Sequence, residues 1–165
     1  MNRCLRAAAA LVLVLLFATA AAAAEAIAGP ARVVDGDTIV VAEVRVRIFG
    51  IDAPETRQTC AAGDGHDYSC GRVAASALAE KIAGRPVSCR PRTTDRYGRT
   101  VAVCFDADDE DLGAWMVRAG LAIAYRKYST VYVDGEDDAR RARRGLWAGE
   151  FVDPSEWRAA RAYGR

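Results

Sequence analysis

Apolar and polar positions alternate with a period of two over the segment RVVDGDTIVVAEVRVRIFGID, which begins at residue 32. Such alternation, in a stretch rich in Val and Ile, is typical of β-strands. It predicts two strands, residues 32–41 and 43–51, with a tight connection near Ala42. The segments 86–91 and 99–105 have the same character and predict a second pair of strands, which we expect to form a hairpin.

Apolar residues recur at helical spacing in later stretches of the chain. Residues 71–84 predict a helix that ends at glycine, and residues 106–120 predict a helix that begins after capping acids. A third helix is predicted at 134–144. In the segment DPSEW, Asp153 is suited to the N-cap and Pro154 to the first helical position, so the C-terminal segment is expected to be helical as well.

This order of elements predicts an α+β domain. The segments 32–41 and 43–51 together hold about three strands' worth of β-structure, so the chain offers five short strands. Five short strands with a helix in mid-chain are compatible with a closed five-stranded OB-fold β-barrel flanked by about three helices. A four-stranded open sheet fits the same pattern. We predict that the folded domain covers residues 25–152 and that residues 153–165 form a C-terminal helical tail.

The beginning of the chain differs in composition from the rest. The residues MNRCLR precede a short apolar core and an Ala-rich end, which is the layout of a secretory signal peptide. We therefore predict that residues 1–24 are a cleaved signal peptide. The protein is then exported to the periplasm or the exterior of a bacterial cell, without stable membrane insertion. A transmembrane anchor is the alternative, but the strongly apolar part, from about Leu11 to Ala18, is short for a bilayer.

The charge balance excludes a strongly basic nucleic-acid binder. The whole chain carries 23 Lys and Arg against 22 Asp and Glu. Loss of Arg3 and Arg6 with the predicted signal peptide changes the net charge from +1 to −1. Any recognition of a polyanion must therefore be local.

Four cysteines follow the predicted signal peptide. An even number in an exported protein indicates two disulfides, with three possible pairings. Cys89 and Cys104 lie symmetrically about the centre of the predicted hairpin, so they would face each other across the two strands. Cys60 would then pair with Cys70. A Cys-based metal site is the alternative, and it is disfavoured because CxxC spacing is absent.

Several carboxylates bracket the first pair of strands. Asp37 lies in a turn, while Asp52 and Glu55 follow the second strand and flank Pro54. If the two strands form a hairpin, Asp37 and Asp52 fall at the same end, where they repel unless a cation lies between them. Hard divalent ions such as Ca²⁺ or Mg²⁺ prefer oxygen ligands, and a third acid could act as general base toward water. The alternative is that these acids merely cap the turns of the hairpin.

Arginines near these acids favour the catalytic interpretation. Arg45 and Arg47 alternate with apolar residues, so the second strand is expected to carry its cations on the face opposite its apolar side chains. Arg99 follows the predicted turn of the other hairpin. A metal, a carboxylate base and two guanidinium groups could together stabilise the extra negative charge of a pentacoordinate phosphate. A solvated strand face is the alternative for each arginine.

Four motifs in this order, VVDGDTIVV, VRIFGIDAPE, DRYGR and GLAIAY, resemble the staphylococcal nuclease (thermonuclease) family over roughly residues 30–148. The resemblance implies an OB barrel with flanking helices. It also implies Ca²⁺-dependent hydrolysis of DNA and RNA phosphodiesters that leaves 3′-phosphate ends. The expected partner is a nucleic acid, with single strands favoured, and nothing in the sequence requires more than a monomer.

The same resemblance implies roles for individual residues. Asp37 and Asp52 match the calcium carboxylates, and Glu55 matches the general base. Ala53 lies where the family often has a Thr that offers its backbone carbonyl to the metal. Two positions match the arginines that contact phosphate, namely Arg47 and Arg99. Positions of the nucleotide pocket fall on Arg96, Tyr97, Tyr125 and Lys127.

Lys127 is a departure from the family pattern, because a tyrosine is expected there and Tyr128 lies one position away. The cysteines are a second departure. We expect a bridge between Cys60 and Cys70 to stiffen the loop that directly follows Glu55.

A non-catalytic OB module that binds single strands is the main alternative function. Such modules use a basic groove and stacking aromatic residues and need no acidic cluster. A periplasmic structural domain is a third possibility, but it leaves the arginines unexplained. The joint presence of three acids and two arginines at the matching positions favours a nuclease.

Overall fold

The computed structural model describes residues 25–162. Within this range the strands are β1 (Ile27–Gly29), β2 (Ala31–Val33), β3 (Thr38–Val41), β4 (Val44–Ile48), β5 (Ile51–Asp52), β6 (Cys60–Ala61), β7 (Asp67–Tyr68), β8 (Val87–Thr94), β9 (Thr100–Phe105) and β10 (Ile123–Ala124). The helices are α1 (Cys70–Ile82), α2 (Leu112–Arg118), α3 (Val133–Arg141), α4 (Pro154–Ala162) and a 3₁₀ turn, Gly145–Ala148.

Six of the strands form one mixed sheet in the order β1-β8-β9-β4-β3-β2. The β4–β9 pair is parallel and the other neighbours are antiparallel. Strand β5 pairs with β10, and β6 pairs with β7, outside this sheet. Short strands in a mixed sheet with helices packed around it confirm the predicted α+β, OB-like architecture. The described residues contain four α-helices: three near the predicted flanking helices, and α4, which lies in the segment predicted as a C-terminal helical tail.

The β3–β4 hairpin provides the framework of the site. Ala42 and Glu43 join the two strands with φ angles of 45° and 66°, as a two-residue primed turn requires. Val46 and Ile48 are buried, whereas Arg45 is exposed and Arg47 is partly exposed. The predicted separation of apolar and cationic faces on this strand is therefore confirmed.

The first predicted strand, 32–41, is interrupted in the structure. Residues 34–37 leave the ladder, and the backbone N–H groups of Val34 and Asp35 both donate to the carbonyl of Thr38. The chain turns there because the short polar side chain of Asp35 bonds to the backbone N–H of Asp37 at 3.0 Å. This local turn, and not the hairpin ladder, sets the direction of the Asp37 side chain.

The second predicted strand, 43–51, is also divided. It ends at Ile48, and after Gly50 the chain begins β5, in which Asp52 lies opposite Ile123 of β10. Asp37 and Asp52 are thus not the paired ends of one hairpin, and that expectation was wrong in its geometry. They still approach each other, because the chain folds back at Gly50 with a φ of 74°.

Helix α1 closes the core beneath the sheet. Its residues Ala74, Leu78 and Ile82 recur at a spacing of four and are all buried. They belong to one continuous apolar cluster that includes Ile39, Ile48, Leu112 and Met116. Burial of this much aliphatic surface is the main stabilising contribution to the domain.

Both expected disulfides are present. Cys89 and Cys104 lie directly opposite each other in β8 and β9 and are bonded. Cys60 is bonded to Cys70, which closes the loop between β5 and α1. The second bridge therefore joins the segment after Glu55 to the first residue of α1.

The C-terminal segment begins its helix as predicted. Asp153 accepts hydrogen bonds from the backbone N–H and the hydroxyl of Ser155, at 2.8 and 2.6 Å. No helix within residues 25–162 is long and apolar enough to cross a membrane. The predicted signal peptide, residues 1–24, lies outside the described residues.

Candidate active site

Asp37 is positioned by a tightly packed turn. The turn lies so close to the chain at Ala53 that a Cβ on Gly36 would be 2.7 Å from the Ala53 Cβ. The backbone N–H of Ala53 in turn donates to Asp37 Oδ2 at 3.2 Å, and the Thr38 hydroxyl donates to Asp37 Oδ1 at 3.0 Å. The Asp37 carboxylate is therefore held in place from both sides while almost fully buried.

Asp52 and Glu55 are positioned by β5 and by the start of α1. Asp52 is fully buried at the end of the short β5–β10 ladder. The backbone of Glu55 lies against α1, where a Cβ on Gly71 would be 1.8 Å from the Glu55 carbonyl oxygen. Only glycine permits this approach. The buried Gln58 side chain fixes the same loop by accepting from the Glu55 N–H at 3.2 Å.

Arg47 joins the two buried carboxylates. Its Nη1 donates to Asp37 Oδ1 at 2.8 Å and its Nη2 donates to Asp52 Oδ1 at 2.9 Å. Two carboxylates from separate turns thus meet at one guanidinium group. Because the Arg47 side chain is only 16% exposed, this ion-paired arrangement is shielded from solvent far more than a surface salt bridge.

Burial shapes the electrostatics of this pair. Removal from water raises the pKa of Asp37 to about 7, although the adjacent Arg47 charge opposes the change. Burial also opposes ionisation of Arg47, but the charges of Asp37 and Asp52 outweigh it and raise the pKa of the guanidinium. The positive charge of Arg47 therefore favours the ionised form of Asp37, and burial disfavours it.

A cleft of about 1030 Å³ opens beside these residues. It brings together most of the side chains expected from the sequence to take part in catalysis or nucleotide binding: Arg47, Glu55, Arg96, Tyr97, Arg99, Tyr125 and Lys127. The three expected metal-binding residues, Asp37, Asp52 and Ala53, are buried beside Arg47 and do not line the cleft themselves. The site thus has buried acidic residues at its bottom and an open wall of cationic and aromatic side chains.

The β8–β9 turn supplies one side of the cleft. Asp95 accepts hydrogen bonds from the backbone N–H groups of Tyr97 and Arg99 at 2.9 and 3.0 Å, which shapes the turn. Arg99 donates its Nε to Asp95 at 2.7 Å, and its Nη groups have no hydrogen-bond partner among residues 25–162. Tyr97 is 68% exposed, and Arg96 donates to its hydroxyl at 2.6 Å. This turn therefore presents a free guanidinium edge and an exposed aromatic ring.

A second aromatic wall follows β10. Tyr125 and Tyr128 pack edge to face, with ring centroids 4.9 Å apart. The Arg47 guanidinium lies 6.0 Å from the Tyr125 ring, and the Lys127 ammonium lies 5.7 Å from the Tyr128 ring. Although Tyr128 is one position from the expected tyrosine, both it and Lys127 line the cleft.

Arg158 of α4 is a member of the site that the sequence did not reveal. Its guanidinium donates to both oxygens of Asp52, at 3.1 and 2.8 Å, and to Glu55 Oε1 at 2.8 Å. It comes from the segment that we predicted only as a helical tail. A contact across more than a hundred residues leaves no local signal in the sequence. The helical spacing shows only that Arg158 shares a face of the predicted helix with Ser155 and Ala159, and it does not show what that face contacts.

The donor set suits a hard cation, although its present geometry is not that of a metal cage. Within residues 25–162, no group of three or more His, Cys, Asp and Glu residues is arranged to hold a metal ion. Arginine groups lie between the acids instead: Arg47 between Asp37 and Asp52, and Arg158 between Asp52 and Glu55. Calcium accepts carboxylates together with backbone carbonyls and waters, so the two buried aspartates and the backbone carbonyls beside them are donors of the right chemical type.

Comparisons with known proteins place the chain among nuclease sequences. The family model described as staphylococcal nuclease homologue matches residues 45–149. An uncharacterized endonuclease of Escherichia coli is 37% identical over 134 residues, covering 77% of this chain and 81% of that protein. A micrococcal nuclease of Shigella flexneri is 34% identical over 146 residues, covering 78% of each.

A relative with a different name also matches. The succinoglycan biosynthesis protein ExoI of Rhizobium meliloti (strain 1021) is 41% identical over 125 residues, which cover 74% of this chain. The match spans 65% of that relative, slightly less than two thirds of its length. Helix α4, with Arg158, lies beyond the last residue that the family model matches.

Proposed function

Because the chain belongs to the staphylococcal nuclease family, we propose that its cleft hydrolyses phosphodiester bonds of DNA or RNA with Ca²⁺, leaving 3′-phosphate ends. One observation carries the proposal. A single guanidinium group, Arg47, contacts both Asp37 and Asp52 at the edge of a cleft that Glu55 and Arg99 also line. Acids, cations and an open cleft thus meet at one point, as phosphodiester hydrolysis requires.

Asp37, Asp52 and the backbone carbonyl of Ala53 are the groups that would hold the cation. Their oxygens are the hard donors that Ca²⁺ prefers, and Asp37 and Asp52 already share one positive partner, Arg47. When bound, Ca²⁺ supplies Lewis-acid stabilisation of charge on the phosphate oxygens. The alanine at position 53 is compatible with this role because only its backbone is required.

Glu55 is the proposed general base. Its side chain is 37% exposed at the cleft, so a water molecule can reach it. In the proposed step the water oxygen forms a bond to phosphorus, the bond from phosphorus to the 5′ oxygen breaks, and Glu55 accepts the proton of the water. The departing 5′ oxygen takes up a proton from solvent water, and the phosphate stays on the 3′ side.

Arg47 and Arg99 are the proposed phosphate-binding residues. Arg99 faces the cleft with Nη groups that have no partner among residues 25–162, and its Nε is fixed by Asp95. Arg47 lies between the buried acids and the cleft. Two guanidinium groups held in place before the reaction stabilise the additional charge of the transition state without reorganisation.

The nucleotide itself would bind along the aromatic walls. Exposed Tyr97 and the Tyr125 ring offer flat apolar faces for a base or sugar, and Arg96 and Lys127 add positive charge beside them. Base stacking on aromatic side chains is tolerant of sequence and requires accessible bases. This supports single strands as the preferred substrate.

We further propose that the protein acts outside the cytoplasm as a monomer. Residues 1–24 have the composition of a signal peptide, and two disulfides in a small domain are typical of an oxidising compartment. We also propose the domain limits expected from the sequence, with a nuclease domain at residues 25–152 and a C-terminal helical tail at residues 153–165. N-terminal sequencing of the exported protein would locate the cleavage site.

The test is hydrolysis of end-labelled single-stranded DNA and RNA by the oxidised protein, with excess Ca²⁺ or excess chelator. We expect Ca²⁺-dependent cleavage that Glu55→Gln abolishes and that Glu110→Gln, a matched change outside the cleft, leaves intact. Products that shift on phosphatase treatment would establish 3′-phosphate ends. Strand binding without cleavage under any metal would instead favour a non-catalytic OB module.

A further inference from the structure

Arg158 makes the densest set of ionic contacts in the site. It bonds to both carboxylate oxygens of Asp52, at 3.1 and 2.8 Å, and to Glu55 at 2.8 Å. Such a two-pronged pairing with a carboxylate is among the strongest hydrogen-bonded arrangements available to an arginine. Asp52 is fully buried, whereas the side chains of Arg158 and Glu55 are 36% and 37% exposed, so the pairing with Asp52 is the less screened of the two contacts.

The backbone of the C-terminal segment is tied to the loop that carries Glu55. Gln58 accepts from the Glu55 N–H and donates through its Nε2 to the Val152 carbonyl at 2.7 Å. Ala61 and Glu150 exchange two backbone hydrogen bonds at 2.9 and 3.1 Å. Arg158 is therefore directed at the acids by a fixed anchor shortly before α4 and does not reach them as a free surface side chain.

One face of α4 forms a wall of the cleft. The cleft-lining residues of this helix are Ser155, Arg158, Ala159 and Ala162, spaced as i, i+3, i+4 and i+7. Three of them are small, and Arg158 is the only long side chain among them. This face thus leaves space in the cleft and places a single positive charge against the acids.

Two positively charged side chains compete for Asp52. Arg47 Nη2 and Arg158 Nη1 both donate to Asp52 Oδ1, at 2.9 and 3.1 Å. Two guanidinium groups therefore share one carboxylate oxygen and repel each other across it. A divalent ion on Asp37 and Asp52 would take the oxygens that these arginines now occupy.

We propose that Arg158 is the residue that sets the cation affinity of this site, by competing with the divalent ion for Asp52 and Glu55. The inference rests on the proposed cation-dependent function. With an ion held by Asp37 and Asp52, Arg158 would no longer pair with Asp52, and Glu55 would be free to accept a proton from the attacking water. Helix α4 thereby keeps the acids paired until the cation arrives.

Calorimetric titration with Ca²⁺ tests this proposal without reference to activity. We expect Arg158→Gln to bind Ca²⁺ on the order of tenfold more tightly than the wild-type protein, since a competing charge-assisted contact is removed. Arg158→Lys keeps the charge but loses the planar fork, so its affinity should lie in between. Arg161→Gln is the matched control, because Arg161 lies on α4 over Trp157 and touches neither acid.

Stability supplies a second readout. Without Ca²⁺, Arg158→Gln should melt below the wild-type protein, because Asp52 and Glu55 lose a partner. With saturating Ca²⁺ the difference should disappear. If Arg158→Gln does not fold, Arg158→Lys provides the same comparison with a smaller shift.

Three results would overturn the proposal, and they differ from one another. Equal Ca²⁺ affinity of the wild-type protein and Arg158→Gln would exclude competition while leaving the proposed nuclease intact. Lost turnover in Arg158→Gln at saturating Ca²⁺, with unchanged affinity, would make Arg158 a substrate contact. Failure of every variant to bind Ca²⁺ would remove the cation site itself, and with it both this inference and the proposed metal dependence.

Discussion

Two acidic regions of this molecule hold their carboxylates in different ways. The site acids are Asp37, Asp52 and Glu55, and the acidic turn comprises residues 106–111 before α2. In the acidic turn, Asp106 accepts backbone N–H groups of Asp108 and Glu110, both at 2.9 Å. Among the site acids, only Asp37 accepts a backbone N–H within the described residues, and arginine side chains supply the other strong contacts.

The electrostatics of the two regions differ accordingly. Burial works against ionisation of Asp106, but Lys81 and the backbone donors outweigh it and lower the pKa of the carboxyl. Burial of Asp37 prevails over its partners and raises the pKa to about 7. Asp106 is fixed by two backbone donors together with Lys81. The side chains of Asp52 and Glu55 accept hydrogen bonds only from arginines among the described residues, and a divalent cation could take the place of those arginines.

The largest expected effect is on turnover, and it should distinguish an arginine that pairs with the site acids from an arginine that pairs with the acidic turn. Arg47→Lys loses the planar fork that reaches both Asp37 and Asp52, so turnover should fall about 10²–10³-fold. Arg85→Lys makes the same change opposite exposed Asp108 and should leave turnover unchanged. Initial rates on single-stranded DNA would measure both. Equal losses in the two variants would remove the distinction between the regions.

Arg47 also carries a structural consequence that the sequence did not suggest. This side chain neutralises two buried acids. Arg47→Ala should therefore lower the melting temperature as well as turnover, because it leaves buried charges without a partner. Arg99→Ala should lower turnover with a smaller change in melting temperature. Similar melting of the two variants would contradict this assignment.

Removal of the Cys60–Cys70 bridge should have the next largest effect. The bridge closes the loop that follows Glu55, and a cross-link over a loop of this size contributes about 2–4 kcal/mol to stability. The double variant Cys60→Ser/Cys70→Ser should unfold at lower denaturant concentration and lose activity, because Glu55 is then held less firmly. The Cys89→Ser/Cys104→Ser pair is the control for a bridge outside the Glu55 loop. Unchanged activity and melting temperature in excess reductant would contradict the expected role of the bridges.

A smaller and purely structural effect is expected in the acidic turn. Asp106→Asn weakens the contact with Lys81, 2.9 Å from Oδ2, and the anchoring of two backbone N–H groups. Stability should fall by about 1–3 kcal/mol, while turnover at a temperature well below melting stays at the wild-type level. Denaturant unfolding and initial rates measure the two quantities. A turnover defect equal to that of a site variant would show that the acidic turn is coupled to the cleft.

The smallest effect concerns pH. The folded-state pKa of Asp106 lies below its ordinary value, as does that of Asp95. The stability that such groups contribute is present above the unfolded pKa of about 4 and is lost as pH falls through the folded value. Wild-type melting temperature should therefore drop below about pH 4, and Asp106→Asn should show a shallower drop. Parallel curves for the two proteins would exclude a contribution from Asp106.

Local patterns predicted much of this structure. The period of two along residues 32–51 indicated the β3–β4 hairpin and the face that carries Arg47, and cysteine spacing indicated the β8–β9 register. These features depend on contacts between residues near in sequence. Such contacts leave a repeating signal in the chain, which is why they could be read without a structure.

Long-range contacts could not be predicted in the same way. The parallel β4–β9 pair, the separate β5–β10 ladder and the approach of Arg158 to Asp52 all join distant segments. From the sequence, the turn at Asp35 could be predicted only as a bend within one strand, because β-branched residues continue on both sides of it. The structure shows that this turn breaks the strand. Motif positions placed seven of the expected residues in one cleft, but they gave no indication of α4 as its wall.

The most direct test of the account is the calcium dependence of hydrolysis in Asp52→Asn, with Asp108→Asn as the matched change in the acidic turn. Initial rates on single-stranded DNA would be measured across a Ca²⁺ titration for both variants and the wild-type protein. We predict that Asp52→Asn needs far more Ca²⁺ or does not cleave, whereas Asp108→Asn follows the wild-type curve. Cleavage by Asp52→Asn with the wild-type calcium dependence would contradict the assignment of this buried carboxylate to the cation site.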